Sequence, residues 1–435
     1  MAVVSQDSPA GREVQVHYDT GIYIPRAQAG SPQRSYLSCL IFALCAGVYF
    51  LPFMRVLLQG TDEGFLIDGA VRVTHGQVFA RDFFEVVGPG TFYWLSAFFK
   101  VLGVTFFATR VWLFLDSLGT ALLMYFLSRR ICSQYQSLPA ILFFATSFGM
   151  LWPAISHHTD SNFFALLAFA CVILWQDFRN SIFLVAAGVF AGATTCFLQP
   201  KGVLLLLAIL VWLLVQHRRQ FNSIRSLGWV ACGYCGVAGA VCVYFWNRAA
   251  LRDLLYTNLV WPFQHYDAIS NVPYGRGILL YYWDHWVVIG GGSPWIIAIA
   301  AVMITPFLLV AALPALLPAL GWERRRFSAK PEILLYWLCG WALWVSEIHR
   351  KDICHLVYGS PLLIILVVSL LGRSDGKPSR IALQIFFVSA SCLAVFNLFT
   401  VLPAEAVSTR AGSVAMFNRD PVLAYLDQHV APGTE

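Results

Sequence analysis

Two adjacent carboxylates, Asp62 and Glu63, stand in "LLQGTDEGFLID" (57–68), directly behind a long apolar run. Three further polar islands interrupt an otherwise greasy chain. They are "PAISHHTDSNFF" (153–164), with His157, His158, Asp160 and Asn162; "FLQPKGVLLLL" (197–207), with Lys201; and "EIHRKDICH" (347–355), with Glu347, His349, Arg350, Lys351, Asp352 and His355. Carboxylates can accept a proton from a reacting hydroxyl, and Lys and Arg can hold a phosphate. Acids and cations beside an apolar surface therefore suit a lipid-phosphate substrate. Each island also has a plainer reading. Asp160 precedes a helical run and could be its N-cap, Lys201 could be a turn lysine snorkelling outward, and 347–355 could be a salt-bridged cap. Arg55, seven residues before Asp62, falls on about the same helix face; it either snorkels or orients the acid pair or a lipid phosphate. His157, His158 and Asp160 could bind a divalent metal, but adjacent histidines do not share a helix face, which makes this the weaker reading.

The elements that must position these residues follow from composition. The 435 residues are 58% hydrophobic and 12% charged, with a mean hydropathy of +0.67, outside the range of soluble globular domains. A bilayer core of about 30 Å needs roughly 20 apolar residues per helix. About eleven runs qualify: 36–58, 108–128, 138–153, 161–176, 181–198, 202–216, 227–246, 294–320, 332–346, 355–371 and 380–402. They lack the period-two alternation of a barrel, so helices alone satisfy their backbones. The expected fold is all-α and polytopic. Arg129–Arg130, Arg179, "HRRQFNSIR" (217–225), "ERRRFSAK" (323–330) and "GRSDGKPSR" (372–380) fall in alternate loops with the basic N-terminal segment, as the positive-inside rule requires. That places a disordered tail at 1–35 in the cytoplasm, the membrane domain at 36–402 and a short tail at 403–435 outside. The loops at 59–107, 153–160, 247–293 and 347–354 face outward, and "GTFYWLSAFFKVLG" (90–103), too short to span, should lie at the interface.

Other signals are weaker. The net charge of +6 is scattered through short loops, which argues against a nucleic-acid partner. The eleven cysteines lie mostly inside apolar runs and are expected to be free thiols. "CGYC" (232–235) and "GVFAG" (188–192) read as small-residue packing stripes. No Walker loop, dinucleotide fingerprint, kinase set or G-x-S-x-G elbow is present. No cofactor is expected, and a divalent metal stays open.

The stretch 61–112 resembles the first extracytoplasmic loop of membrane glycosyltransferases of the GT-C superfamily, among them bacterial relatives of protein O-mannosyltransferases and of the lipid A aminoarabinose transferase. The places of that pattern are taken by Asp62–Glu63, Ala70, Gly76, Phe79, Asp82, Pro89 and Arg110, with "GPG" (88–90) where the family often has a proline pair. "LQPKG" resembles its lysine-bearing turn, and Asp160 an acid between its third and fourth spans. The resemblance implies sugar transfer from a polyprenyl-phosphate donor to a glycan, lipid or protein acceptor outside a bacterial inner membrane. It implies Asp62 as the base or acceptor-positioning group, Glu63 in support, Asp82 and Asp160 in second rank, and Lys201, Arg350 and Lys351 on the donor phosphate. His157, His158, Tyr266, Asp267 and His355 are candidate substrate contacts, and Trp261 and His265 could cover the cavity.

Two other classes compete. A transporter or lipid flippase would place ionisable groups mid-span, where Asp116 is the one clear acid. A non-catalytic scaffold would have no convergent pocket. The transferase reading expects Asp62, Glu63, Asp160, Lys201, Arg350 and Lys351 to converge on one outward cavity.

Overall fold

The computed structural model describes residues 32–56, 61–150, 153–217, 224–270, 272–277, 288, 291–322, 331–374, 376–409, 412–416 and 421–430. The N-terminal tail up to residue 31 and the basic segments 218–223 and 323–330 lie outside these residues, as do the side chains of Asp62 and Asp267. Over its described residues every apolar run is helical: α1 (Pro32–Met54), α4 (Phe106–Ile131), α5 (Leu138–Met150), α6 (His157–Phe178), α7 (Ile182–Phe197), α8 (Gln199–His217), α9 (Ile224–Asn247), α12 (Pro294–Trp322), α13 (Pro331–Ser346), α15 (Pro361–Gly372) and α16 (Lys377–Val401). Among the described residues seven of these are long and apolar enough to cross a membrane (α1, α4, α6, α8, α9, α12 and α16), while α5, α7 and α15 are shorter apolar helices. The protein is an all-α polytopic membrane protein.

The tenth run differs from expectation by splitting into α14 (Ile353–Tyr358) and α15. Pro361 opens α15, where its missing N–H costs nothing. A Cβ on Gly359 would lie 2.9 Å from the Trp344 backbone, so the break also lets the chain pass close to α13. The α15 helix is buried from Pro361 to Leu370 and carries no charge, the signature of a helix enclosed on all sides. It packs against α4, α5, α12, α13 and α16.

The small-residue stripes meet each other. A Cβ on Gly188 of α7 would lie 2.0 Å from the Val230 carbonyl of α9, and one on Gly233 would lie 2.1 Å from the Val185 carbonyl of α7. These glycines bring two backbones into contact, as small-residue pairs do in membranes. All eleven cysteines are free, including the two of "CGYC".

The first loop holds two helices, α2 (Thr61–Thr74) and α3 (Gly90–Leu102), of which sequence reading placed only the second by residue range. Leu66, Ala70 and Val73 form the buried stripe of α2, and Arg72 donates to Asp68 at 2.7 Å on its exposed side. Phe92 of α3 stacks on Phe79 at 5.4 Å. The "GPG" turn explains itself here, because a Cβ on Gly88 would lie 2.2 Å from the Cys196 carbonyl at the end of α7. After α9 the chain forms α10 (Leu251–Leu255), a π-helical turn (Tyr256–Val260) and α11 (Trp261–Ser270). After α16 comes an antiparallel hairpin, β1 (Glu405–Thr409) and β2 (Gly412–Met416), then α17 (Pro421–His429).

Arg55 follows neither expected course. Its guanidinium turns to the end of α16 and donates to the carbonyls of Val401 and Leu402 at 3.4 and 2.9 Å, while its own carbonyl accepts from Ala415 N at 2.7 Å. A helix C-terminus offers unpaired carbonyls and a partial negative charge, and a nearby arginine satisfies both.

Gly233→Leu should separate α7 from α9 and destabilise the detergent-solubilised protein by about 1–3 kcal/mol. Gly236→Ala, where a Cβ meets nothing within 4 Å, should leave the tryptophan-fluorescence melt unchanged.

Candidate functional site

The first turn of α6 organises the polar residues. Ser156 caps it, its hydroxyl accepting from His158 N at 3.2 Å, so Asp160 is not the N-cap. At 3.6 residues per turn His158 and Asn162 share a face, and Asp160 looks the other way. Two separate polar centres result.

On the first face lies a buried charge pair. Lys201, in the first turn of α8, and Glu347, just beyond α13, are both fully enclosed, with Nζ 2.5 Å from Oε1. Lys201 therefore does not snorkel. Its ammonium also donates to Asn162 Oδ1 at 2.9 Å. His158 Nδ1 lies 3.0 Å from one Glu347 oxygen and 3.2 Å from the other. A carboxylate can only accept, so Nδ1 carries the ring proton. Burial alone would push the Glu347 carboxyl up, but His158 and the Lys201 ammonium hold it well below the usual range.

On the opposite face Asp160 has both oxygens engaged. Thr91 at the start of α3 donates to Oδ2 at 2.7 Å and Trp112 of α4 donates to Oδ1 at 2.8 Å. Beside this centre Glu63 is buried against Arg110 of α4 at 2.6 Å. The same oxygen accepts from Ile155 N at 3.2 Å, and Arg110 also donates to the Pro153 carbonyl at 3.1 Å. The acid next to Asp62 thus pins the first turn of α2 to the 153–155 turn, while Glu63 Oε2 has no hydrogen-bond partner.

A more accessible rim adjoins the buried pair. The rings of His157 and His355 lie 4.0 and 4.7 Å from that of His158, and Tyr358 stacks on it at 5.3 Å. Asp352 caps α14 and accepts from His355 Nδ1 at 2.7 Å. Arg350, its side chain 47% exposed, reaches the other oxygen at 2.8 Å. Burial would raise the Asp352 carboxyl, but the His355 hydrogen bond and charge and then Arg350 bring it below its ordinary value. Burial pushes His349 down, and its ring meets Tyr266 of α11 at 5.4 Å. Lys351 is exposed, and its carbonyl accepts from Gly275 N at 2.7 Å, fastening the segment after α11 to the rim.

Lys201, His157, His158, His355, Arg350 and Tyr266 therefore form one continuous set, with Lys351 exposed at its margin. Glu63 and Asp160 occupy adjoining centres on the same 153–162 segment. Asp82 is exposed, accepting from Val78 N and pairing with Arg81 at 2.7 and 2.8 Å. Arg81 and that backbone N–H hold its carboxyl down to about 2, so it staples its own loop. Trp261 packs on Phe84 at 5.2 Å, which ties α11 to the loop between α2 and α3. Among the described residues no group of three or more His, Cys, Asp and Glu is arranged to hold a metal.

Glu347 as the centre, and Arg110 and Asn162 as partners, were not singled out by sequence reasoning. The signal existed: Glu347 and Lys201 are opposite charges, each abutting an apolar run on the same expected side of the membrane.

No family model matches the chain, and no curated protein does. Among solved structures it is similar to the crystal structure of ArnT from Cupriavidus metallidurans bound to undecaprenyl phosphate. The TM-score is 0.53 at 18% identity, covering 83% of this chain and 64% of that one. The apo ArnT structure gives 0.50 at 19% identity, covering 81% and 62%. The fold is GT-C. The resemblance read from residues 61–112 holds at the level of the fold, and the chain spans less than two thirds of the length of these neighbours.

Lys201→Met should cost about 3–5 kcal/mol because it strands a buried carboxylate, and adding Glu347→Gln should recover part of that loss. A carboxyl depressed in the fold contributes stability that is fully present above its unfolded value, about 4.3 for Glu, and lost as pH falls through the folded value. The stability gap between wild type and Glu347→Gln should therefore be largest near neutral pH and shrink on acidification below about 4.3, as read in parallel thermal melts.

Proposed function

We propose that this protein is a membrane glycosyltransferase that takes a sugar from a polyprenyl-phosphate carrier and passes it to an extracytoplasmic acceptor. The carrying observation is the GT-C fold, shared over most of the chain with a protein crystallised on undecaprenyl phosphate. The polar rim supports this reading, because it gathers exposed cations beside apolar helices, as a lipid phosphate requires.

In this reading an acceptor hydroxyl attacks the anomeric carbon as the bond from that carbon to the phosphate oxygen breaks. The lipid phosphate leaves with the electron pair, and the hydroxyl proton passes to Asp62. Asp62 stands in the first turn of α2, next to a Glu63 that is committed to Arg110, so the fixed neighbour sets the position of the reactive one. Arg350 and Lys351 make the first contacts with the donor phosphate. Lys201 lies behind them, reaching the phosphate when Glu347 gives way. His157, His158, His355 and Tyr266 line the path of the sugar. Asp160, with both oxygens occupied, holds α3 and α4 in register. The setting is a bacterial inner membrane, N-terminus inside.

Purified protein in lipid should transfer radiolabelled sugar from polyprenyl-phosphate donors, and Asp62→Asn should reduce the rate roughly a hundred- to ten-thousand-fold, the range of a general base. Arg350→Ala with Lys351→Ala should raise KM for the donor more than it lowers kcat. Equal rates for wild type and Asp62→Asn would remove Asp62 from the chemistry. An absence of transfer from every such donor would overturn the assignment.

A further inference from the structure

Asp116, the mid-span acid, has so far taken no part. It lies on α4 together with Ser117 and Thr120, against Ser147 of α5 and Thr159 and Asn162 of α6, with Tyr358 of α14 closing one side. Between them is a cavity of about 10 Å³, otherwise walled by Leu113 and the rings of Phe143, Phe144 and Phe148. Four polar atoms lining it have no hydrogen-bond partner in the protein: Asp116 Oδ1, Thr120 Oγ1, Ser147 Oγ and Asn162 Nδ2. The residues that carry them are at most 3% exposed.

Four unsatisfied groups facing one small chamber are costly in a membrane interior, where each loses on the order of 1–3 kcal/mol if left unpaired. A cavity of this size corresponds to about one water, which needs two to four polar partners. The donor pattern selects the ligand. Asn162 Oδ1 is committed to the Lys201 ammonium, so the amide must present its N–H groups to the chamber. The Asn162 N–H groups offer a bare cation no ligand. A water can accept from Asn162 and donate to Asp116, while the two hydroxyls serve as donor or acceptor.

We propose that this chamber binds a single water molecule joining Asp116, Thr120 and Ser147 to Asn162. The water fixes the amide with its carbonyl oxygen toward Lys201. It thereby extends the buried network from Glu347 through Lys201 and Asn162 to the middle of α4, and gives Asp116 a structural partner in place of a translocation path.

The test uses stability and so stands apart from transfer activity. Thr120→Val is isosteric and Ser147→Ala is smaller than the residue it replaces, so both should fold. With a bound water each loses a hydrogen bond, and the melting temperature in lipid nanodiscs should fall by about 1–3 °C. The double variant should fall by less than the sum, because both hydroxyls serve one molecule. In a dry chamber each hydroxyl is an unpaid penalty, and unchanged or raised melting temperatures would overturn the proposal. A melting temperature that depends on Na⁺ over choline at constant ionic strength, with that dependence abolished in Asp116→Asn, would overturn it in favour of a cation site.

Discussion

A lysine and a glutamate enclosed together among apolar helices constrain the rest of this molecule. Lys201 and Glu347 come from segments 146 positions apart and meet at 2.5 Å, both out of contact with solvent. Neither charge tolerates such surroundings alone, since an unpaired ion in a low-dielectric interior costs several kcal/mol. The pair therefore fixes the start of α8 against the end of α13, and His158 and Asn162 complete its hydrogen bonds from α6. Such a pair adds little net stability compared with an apolar substitute of equal volume, but it specifies one arrangement of three helix ends.

The short segment 153–162 sits between this pair and the α2–α3 segment. Its backbone receives Arg110 and contacts Glu63, and Asp160 receives Thr91 and Trp112. Its His158–Asn162 face looks to the charge pair. One helical turn thus reads two polar centres on opposite sides and holds α2, α3 and α4 to α8 and α13. The glycine-proline-glycine turn, pressed onto the Cys196 carbonyl, adds a backbone clamp a few residues before Lys201. The exposed Arg350 and the half-buried histidines of the rim are mounted on this rigid base, which suits groups that must meet a lipid headgroup in a set geometry.

Several roles were open in the sequence because they depend on which way a side chain faces. Asp160 preceded an apolar run and so could have been a cap, but Ser156, four residues earlier, has the extended backbone that a cap requires. Arg55 shared a nominal helix face with Asp62, yet α1 ends at Met54 and α2 starts afresh at Thr61, so helical periodicity does not carry across. Lys201 at a helix end had both snorkelling and ligand-binding alternatives, and a buried partner remote in sequence excludes the first. The bounds of α2 were not legible because its buried stripe of Leu66, Ala70 and Val73 is short and interrupted by Asp68 and Arg72.

The sequence by itself determined that the chain is all-α and membrane-embedded, because runs of this length and apolarity admit no other satisfied backbone. It also marked two small-residue packing stripes, since glycine is the residue that lets backbones touch, while their contact with each other came from the tertiary structure. It located the polar islands, for charges in so apolar a chain stand out individually. Only the tertiary structure decided their pairing: Glu347 with Lys201, Glu63 with Arg110, Asp160 with Thr91 and Trp112. Periodicity reports the face of one helix, whereas a buried charge finds its partner through packing between helices far apart along the chain, and no local pattern encodes that distance.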